Sequence, residues 1–335
     1  MPSSKPKPAD VAAEAKKNYI PIIRSEYAHQ WTTCSYLFQR PLDQIRLEPL
    51  GLSLPPIPEF HVCSGDPVDF TINWKAQGQT GIPFICAAND KRPGGDWETG
   101  AGSYEERLCR RSTLSATLAI PGPGSHVDCN YPIPSEGGIY SEQVVVFRGP
   151  HEQYKKLEQW HDLPVISMPA TRWPKLSQGG TKYAFPLERD LVKTKIQSAL
   201  RICIYHNHRS VVIGDFGLGN ALRNPPQELA EIWREVFLFD PYIRGRFEHV
   251  AFVFEDVYQS TASFILDDIA KKSRHGHSSS SRSKSKSSSS SGSHSHGDPA
   301  KPTDFDIFQR VFDASEIQRL MNRPDPRYDI STLTS

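Results

Sequence analysis

Short apolar runs recur along the middle of the chain and alternate with stretches whose apolar residues are spaced as on a helix. Apolar runs of roughly four to eight residues between polar or turn-forming residues indicate buried strands. They predict six strands, at 59–63, 82–88, 143–147, 163–168, 210–215 and 249–256. Helical spacing predicts helices at 103–120, 187–207 and 225–239. This alternation indicates an α/β protein in which a sheet lies between layers of helices.

The segments before the first strand have a different composition. Residues 1 to about 10 carry Pro, Ser and Lys without a core-forming run, which predicts disorder. Residues 9–27 are predicted to form a short helix, and the apolar, Pro-rich stretch 49–58 is predicted to be an extended connector. The prediction is therefore an N-terminal extension at 1–50, partly disordered and then helical, before a domain at 51–321.

A tract rich in Ser, Lys, Arg and His interrupts this domain at 271–299. Such a composition cannot bury a core, so the tract is predicted to be a disordered insertion. Its basic residues at 271–286 allow weak contact with nucleic acid or a nuclear import signal, although a solvated surface loop is the simpler interpretation. The pattern resumes at 303–321 with an amphipathic helix carrying Phe305, Phe308 and Phe312, predicted to pack back on the domain. Residues 322–335 are predicted to be a C-terminal tail.

Composition narrows the possible partners. A formal net charge of +1 over 335 residues supplies no global field that would attract nucleic acid or a membrane. The six cysteines are scattered without a C-x-x-C pair, which predicts free thiols in a reducing compartment and no zinc site of that type. No apolar stretch has the length of a membrane span, and the first residues show no apolar core of a signal peptide. We expect an intracellular monomer, cytoplasmic or nuclear, with no membrane partner.

Two glycine-rich loops follow predicted buried strands. The segment RPGGDWETGAGSYEERLCRRS (92–112) leaves the strand at 82–88, and GDFGLGN (214–220) leaves the strand at 210–215. Ligands of open α/β sheets bind at the carboxyl ends of strands, and backbone N–H groups next to helix starts favour phosphates. Two such loops on neighbouring strands would close over a diphosphate from both sides, and simple structural turns are the alternative.

The paired glutamates in the first loop have two interpretations. Ser103 and Glu106 match a capping box, in which Glu106 would be ionised and would bond back to the Ser103 backbone. In a ligand site, Glu106 would instead point into a cleft. The capping box does not explain the surrounding glycines. The following arginines, Arg107, Arg110 and Arg111, are interpreted as solvated helix charges, and HNH (206–208) lacks an evident third metal ligand.

An ordered set of motifs resembles the microbial-type poly(ADP-ribose) glycohydrolase branch of the macrodomain superfamily, as a divergent, fungal-like member. That family's signature is three glycines, six to eight residues and Gln-Glu-Glu. The corresponding blocks here are AAN (87–89), GGD (94–96), YEE (104–106), RLCRRSTL (107–114), GIYSEQVVVFRG (138–149), PVISMPA (164–170) and VVIGDFGLGNALRNPP (211–226). The resemblance implies a three-layer α/β/α macrodomain with a mixed central sheet.

The resemblance also implies roles for individual residues. Asn89 and Glu105 would contact the distal ribose of ADP-ribose, and Glu106, its pKa raised by burial and by Glu105, would be the general acid on the glycosidic oxygen. The residues implied to hold the diphosphate are Gly94, Gly95, Gly214, Phe216, Gly217, Leu218, Gly219 and Asn220. The implied partners are ADP-ribose, poly(ADP-ribose) or ADP-ribosylated protein, with no cofactor and no metal.

Several positions depart from the family's pattern. Asp96 replaces the third glycine, Tyr104 replaces the Gln, and GLGNALRNPP (217–226) is one residue longer than its counterpart and lacks its aromatic residue. Asp66 or Asp69 would be the acid that reads adenine. These changes favour a protein that binds ADP-ribose or ADP-ribosylated targets with weak or altered glycohydrolase activity. The alternatives are an active glycohydrolase using Glu106, and a non-catalytic scaffold that acts through the Ser/Arg/Lys tract.

Overall fold

The central feature of the computed structural model is a seven-stranded mixed sheet. The structure describes residues 6–51, 56–78, 81–177, 179–276 and 301–322. The strands are β1 (Tyr36–Phe38), β2 (Glu59–Ser64), β3 (Phe84–Ala87), β4 (Gly138–Arg148), β5 (Lys156–Met168), β6 (Ser210–Ile213) and β7 (His249–Phe254). Their order is β1-β4-β5-β3-β6-β7-β2. The pairs β1–β4 and β4–β5 are antiparallel, and the other four pairs are parallel.

Helices cover both faces of the sheet. They are α1 (Pro8–Glu14), α2 (Ile20–Glu26), α3 (Pro41–Gln44), α4 (Pro67–Ala76), α5 (Tyr104–Arg111), α6 (Leu114–Leu118), α7 (Pro186–Tyr205), α8 (Gly219–Leu222), α9 (Pro226–Phe239), α10 (Thr261–Gly276), α11 (Asp304–Val311) and α12 (Ala314–Met321). A π-helical turn, Ala15–Tyr19, joins α1 to α2. None of the described helices combines the length and the apolar composition that crossing a membrane requires.

Alternation along the central strands divides the core into two layers. Ile85 of β3 packs in one hydrophobic cluster with residues of α7, α9 and α11. Its neighbours Phe84 and Cys86 pack in the other cluster, with residues of α4, α5, α6 and the N-terminal helices. Because successive strand residues point to opposite faces, a strand buried on both sides is apolar throughout. The predicted three-layer α/β/α architecture is confirmed, and all six predicted strands are present.

The predicted helix at 103–120 is wrong as a single element. It divides into α5 and α6, because Ser112 adopts an extended conformation and forms a β-bridge with Val146 of β4. The Ser112 hydroxyl donates to the Leu108 carbonyl at 2.7 Å, and the Thr113 hydroxyl accepts the Val145 N–H at 2.9 Å. Ser and Thr side chains that bond to nearby backbone groups compete with helical hydrogen bonds in this way.

Other boundaries also differ from the prediction. The helix predicted at 303–321 is two helices, because Asp313 caps the start of α12. Strand β5 begins at Lys156, because its polar first half pairs with β4 beyond the buried part of the sheet. The apolar pattern did not predict β1, α3, α4, α8 or α10. Helix α10 continues to Gly276, so the first residues of the predicted insertion are helical. Residues 277–299 of that insertion, 1–5, 52–55 and 323–335 lie outside the described residues.

Candidate functional site

A cleft of about 660 Å³ opens at the carboxyl ends of the central parallel strands. Its walls come from the loop after β3, the first turn of α5, the loop after β6 and the residues directly after β7. Parallel strands bring their carboxyl ends to one edge of the sheet, so segments far apart in sequence meet there. The structure thus brings together the two glycine-rich loops that the sequence analysis placed at one site.

Glu105 lines the cleft with only 2% of its surface exposed. Its Oε2 accepts the backbone N–H of Asn89 at 2.7 Å, and its Oε1 has no hydrogen-bond partner among the described residues. Burial raises the pKa of Glu105 to about 8; the Asn89 N–H opposes this shift and the charge of Glu106 adds to it. At neutral pH the carboxyl is therefore largely protonated, although the Gly94 N–H also favours its ionised form.

Glu106 is held by the backbone on both sides. Its Oε2 accepts the Ser103 N–H at 2.9 Å, and its Oε1 accepts the Asp96 N–H at 3.1 Å. The first contact belongs to the capping box of α5, and the second ties the glycine-rich loop to the helix start. The capping interpretation of this spacing is thus realised, although Glu106 also lines the cleft. The assignment of Glu106 as general acid stays a prediction.

Gly94 and Gly95 shape the first loop through their backbone. Their φ angles are +70° and +56°, which side chains rarely adopt. A Cβ on Gly94 would lie 2.7 Å from the Cys109 sulfur, and one on Gly95 would lie 3.0 Å from the Glu106 carboxylate. Among the described residues, the lining includes Asn89 and Asp96 but neither of these glycines. The glycines allow the loop to pack against α5, and their contact with a diphosphate stays a prediction.

Asp96 and Asn89 occupy the rim of the first loop. The carboxylate of Asp96 pairs with Arg92, and both side chains are more than half exposed. Asn89 uses its Oδ1 to accept the N–H groups of Lys91 and Arg92 at 2.9 and 3.1 Å. Both residues line the cleft, as predicted for a ligand-binding loop, while their side chains also stabilise the turn.

The three arginines of α5 are not the solvated helix charges that the sequence suggested. Arg110 is 1% exposed and donates to the Trp97 carbonyl at 2.8 Å and to the Ala101 carbonyl. Arg111 is 2% exposed and pairs with Asp66 and Asp69. Arg107 is 19% exposed and pairs with Glu255. Sequence spacing could not show this, because the partners of Arg107 and Arg111 come from other elements of the fold.

Asp66 has a structural role in the folded chain. It caps α4 by accepting the N–H groups of Val68 and Asp69 at 3.0 and 2.9 Å, and it also accepts from Arg111 and from the Tyr104 hydroxyl. Burial works against its ionisation, but Arg111 and the Asp69 N–H outweigh burial and lower the pKa of Asp66. Contact of Asp66 with adenine stays a prediction. Asp69 is more open, with 41% of its side chain exposed.

Tyr104 stands where the family has Gln and joins this buried network. Its hydroxyl lies 3.2 Å from an Asp66 oxygen and 3.3 Å from an Arg111 nitrogen. Burial raises the pKa of Tyr104 well above its usual range, so the hydroxyl stays protonated and donates to Asp66. Tyr104 lines the cleft while its hydroxyl is bound within the wall.

The second glycine-rich loop contributes only part of its predicted contacts. Leu218, Gly219 and Asn220 line the cleft, whereas among the described residues the lining includes neither Gly214, Phe216 nor Gly217. Phe216 is 4% exposed and its ring packs edge-on against Trp233. Gly217 and Gly219 have φ angles of +86° and +78°. Phe216 is therefore a core residue in this geometry.

Acidic residues that the sequence analysis did not select complete the cleft. Glu255 follows β7 and pairs with Arg107; burial nevertheless raises the pKa of Glu255 to about 7. Burial also raises the pKa of Asp215, with Arg107 opposing. His151 and Arg172 line the same cleft. Glu255 was recognisable as a carboxylate directly after an apolar strand, at the end where α/β sheets bind ligands.

The comparisons with known proteins agree with this geometry. Residues 57–149 match the family model described as microbial-type PARG, catalytic domain. No match was found among curated proteins. The poly(ADP-ribose) glycohydrolase of Thermomonospora curvata bound to the inhibitor ADP-HPD is 18% identical, with a TM-score of 0.56 over 78% of this chain and 98% of that chain. The Deinococcus radiodurans enzyme in complex with ADP-ribose is 20% identical, with a TM-score of 0.50 over 71% and 94%.

Fold and cleft define an α/β protein with a mixed seven-stranded sheet of the kind found in bacterial poly(ADP-ribose) glycohydrolases. The resemblance to the microbial-type poly(ADP-ribose) glycohydrolase family, drawn from the motifs, is confirmed by the matched family model. Its fungal-like character stays a prediction.

Proposed function

We propose that the cleft binds ADP-ribose, free or attached to a target, and that any cleavage of the attached group is weak or altered. The observation that carries this proposal is Glu105, a buried cleft-lining carboxyl with a raised pKa whose Oε1 has no hydrogen-bond partner among the described residues. A buried polar group without a partner is costly, and a ribose hydroxyl would satisfy it. The solved relative from Deinococcus radiodurans, with the same fold, carries ADP-ribose.

The charges of the cleft argue in part against an anionic ligand. Carboxylates outnumber the cations Arg107 and Arg172 along its walls. The raised pKa values of Glu105 and Glu255, about 8 and about 7, reduce this negative charge near neutral pH. Protonated carboxyls also donate hydrogen bonds to a sugar or a phosphate. The cleft is therefore compatible with a nucleoside diphosphate sugar while its buried carboxyls hold protons.

The hydrogen bonds of Glu106 favour binding over efficient cleavage. Both of its oxygens accept backbone N–H groups, so the side chain acts as an acceptor. Donating a proton to a glycosidic oxygen requires one of these bonds to break. A displacement of about 1 Å can cost about a hundredfold in rate. An active glycohydrolase with Glu106 as general acid remains the alternative, and it requires Glu106 to turn into the cleft when substrate binds.

A non-catalytic scaffold that acts through the Ser/Arg/Lys tract is the second alternative. Residues 277–299 of this tract lie outside the described residues, so the scaffold alternative rests on composition alone. Deletion of residues 277–298 separates the two ideas. The ADP-ribose proposal expects unchanged affinity for ADP-ribose and an unchanged melting temperature.

The deciding experiment is calorimetric titration with ADP-ribose and with ADP, run beside an assay for release of ADP-ribose from poly(ADP-ribose) and modified protein. We expect ADP-ribose to bind and ADP to bind much more weakly, because ADP lacks the distal ribose. Glu105→Ala should weaken binding about tenfold or more, since it removes a buried hydrogen-bonding group. Glu152→Ala, at the exposed rim, is the matched control. No heat with ADP-ribose at millimolar concentration would refute the proposal.

The release assay distinguishes a binding protein from an enzyme. If wild-type protein releases ADP-ribose efficiently and Glu106→Gln abolishes release with binding intact, the active glycohydrolase is established. If neither protein releases ADP-ribose while both bind it, the binding function stands.

A further inference from the structure

A second group of polar side chains lies at the opposite end of the sheet from the cleft. Glu59 and His61 are two residues apart on the edge strand β2, so they share one face. Glu59 is in register with His249, the first residue of the neighbouring strand β7. Strand pairing thus places a carboxylate between two imidazoles, which we call the Glu59–His61–His249 cluster. The distance along β7 from His249 to the end of the strand at the cleft is about 16 Å, given the usual rise per residue of a strand.

The distances in this cluster suit a divalent metal ion. His61 Nε2 lies 3.6 Å from Glu59 Oε1, and His249 Nδ1 lies 3.4 Å from Glu59 Oε2. The three ligand atoms lie within 4.8 Å of one another. Zinc binds imidazole nitrogen and carboxylate oxygen at about 2.0–2.1 Å, so tetrahedral ligands are about 3.3–3.4 Å apart. Each imidazole nitrogen lies close to that distance from Glu59, although each is nearest to a different carboxylate oxygen.

The two imidazole nitrogens that face Glu59 are otherwise unused. His61 Nε2 and His249 Nδ1 are shielded from solvent, and neither has a hydrogen-bond partner among the described residues. Both nitrogens are near the Glu59 carboxylate but form no hydrogen bond with it, and a buried polar atom without a hydrogen bond calls for an explanation, of which a missing ion is one. Glu59 is 65% exposed, so an ion can enter from solvent.

The imidazole rings are held by their surroundings. Trp74 of α4 packs edge-on against His61 at 5.6 Å and against His249 at 5.8 Å between ring centroids. Both histidines stand on paired strands whose backbone is fixed by the sheet. A metal site gains affinity when its ligands are positioned by rigid elements, because less ordering is required on binding.

The HNH motif provides a contrast. His208 is already engaged, with Nδ1 at the Gly81 carbonyl at 2.5 Å and Nε2 at the Tyr140 hydroxyl at 3.0 Å. The His206 ring stacks on Tyr140 with centroids 3.5 Å apart. Burial lowers the pKa of His206 to about 4. Among the described residues, neither His206 nor His208 belongs to a group of three metal-ligating side chains.

We propose that the Glu59–His61–His249 cluster binds one divalent transition-metal ion, with Zn²⁺ as the best match to two imidazoles and one carboxylate. Water completes the coordination. The ion would bridge β2 and β7 at the sheet edge and stabilise their pairing.

The test must separate this site from the histidines of the Ser-rich tract. The background protein is the full chain with His275, His277, His294 and His296 replaced by serine. After treatment with a chelator, it is titrated with ZnCl₂ by calorimetry and with CoCl₂ by visible absorption, which distinguishes four-coordinate from six-coordinate Co²⁺. The variants are His61→Gln, His249→Gln and Glu59→Gln, with His161→Gln, a histidine elsewhere on the sheet, as the control.

We expect one Zn²⁺ per chain in the background protein and a four-coordinate Co²⁺ spectrum. Each of the first two variants should weaken Zn²⁺ binding at least tenfold, while His161→Gln should leave it unchanged. Because the cluster is far from the cleft, ADP-ribose affinity should be the same in all of them, and circular dichroism should confirm that they fold. No Zn²⁺ binding by the background protein, or binding that survives both histidine substitutions, would overturn the proposal.

Discussion

The first and last turns of α5 carry charged residues with opposite uses. At the first turn, Glu105 and Glu106 border the cleft, and one carboxyl oxygen of Glu105 remains unpartnered among the described residues. At the last turn, Arg110 and Arg111 are buried and satisfied by carbonyls and carboxylates of other segments. Charged residues that are close in sequence can therefore have different roles. The first turn of α5 borders the cleft and can contact a ligand, whereas the last turn binds other segments of the fold.

The largest expected effect concerns the last turn. Arg111→Met should destabilise the protein by about 3–5 kcal/mol, because it leaves Asp66 buried without its counter-charge. Urea unfolding followed by circular dichroism measures this change. Arg92→Met is the matched control, since its pair with Asp96 is exposed and should contribute less than about 1 kcal/mol. Equal, small losses in both variants would show that the buried network is dispensable.

The next effect concerns the buried carboxyl of the first turn. The pKa of Glu105 is about 8 in the folded protein, against about 4.3 in an unfolded chain. The folded state therefore keeps a proton that the unfolded state releases, and stability from this group falls as pH rises across that window. The Glu105→Gln variant has no ionisable group at this position. Its free energy of unfolding, relative to that of wild type, should therefore rise by more than about 1 kcal/mol between pH 5 and pH 8. Parallel stability curves measured by urea unfolding would contradict the raised pKa.

A smaller effect separates the two interpretations of Glu106. Glu106→Ala should cost about 0.5–1 kcal/mol, because the N–H groups of Ser103 and Asp96 lose their acceptor. Glu106→Gln keeps an acceptor and should be nearly neutral. Thermal and urea unfolding of both variants provide the measurement. If Glu106→Ala is neutral or stabilising, relief of repulsion with Glu105 outweighs the cap, and the carboxylate serves the cleft.

The smallest expected effect is on ligand affinity. ADP-ribose should bind severalfold more tightly at pH 6.5 than at pH 8.5, because protonation of Glu255 and Glu105 removes negative charge near the diphosphate. Calorimetry at several pH values gives the profile. His151 lines the same cleft, so the contribution of Glu105 must be separated from that of its neighbours. The Glu105→Gln variant does this, because the change in affinity near pH 8 should disappear if Glu105 causes it. An affinity that stays constant over this range, or increases with pH, would mean that the diphosphate lies away from these carboxyls.

The layers of the fold and part of the candidate site could be predicted from the sequence. Apolar runs located six of seven strands, because strands buried on both faces must be apolar throughout. The short strand β1 carries no comparable signal, since its three residues are only half buried. The motif order identified the loop with Asn89, Asp96, Tyr104 and the two glutamates. Glu255, His151 and Arg172 were not predicted as site residues, because they reach the cleft from distant segments of the chain.

Local sequence by itself determined six strands, the starts of α1, α5, α7, α9 and α11, the positive-φ glycines of the loops and the capping box at Ser103 and Glu106. These features depend on contacts within a few residues, which spacing and residue type reveal. Only the tertiary structure decided which charges are buried, because burial depends on what packs above a residue. In the folded chain, Arg111 and Asp66 form a buried ion pair, and burial raises the pKa of Glu105. The pairing of β2 with β7 places His249 beside Glu59, although the two residues are 190 positions apart in the sequence.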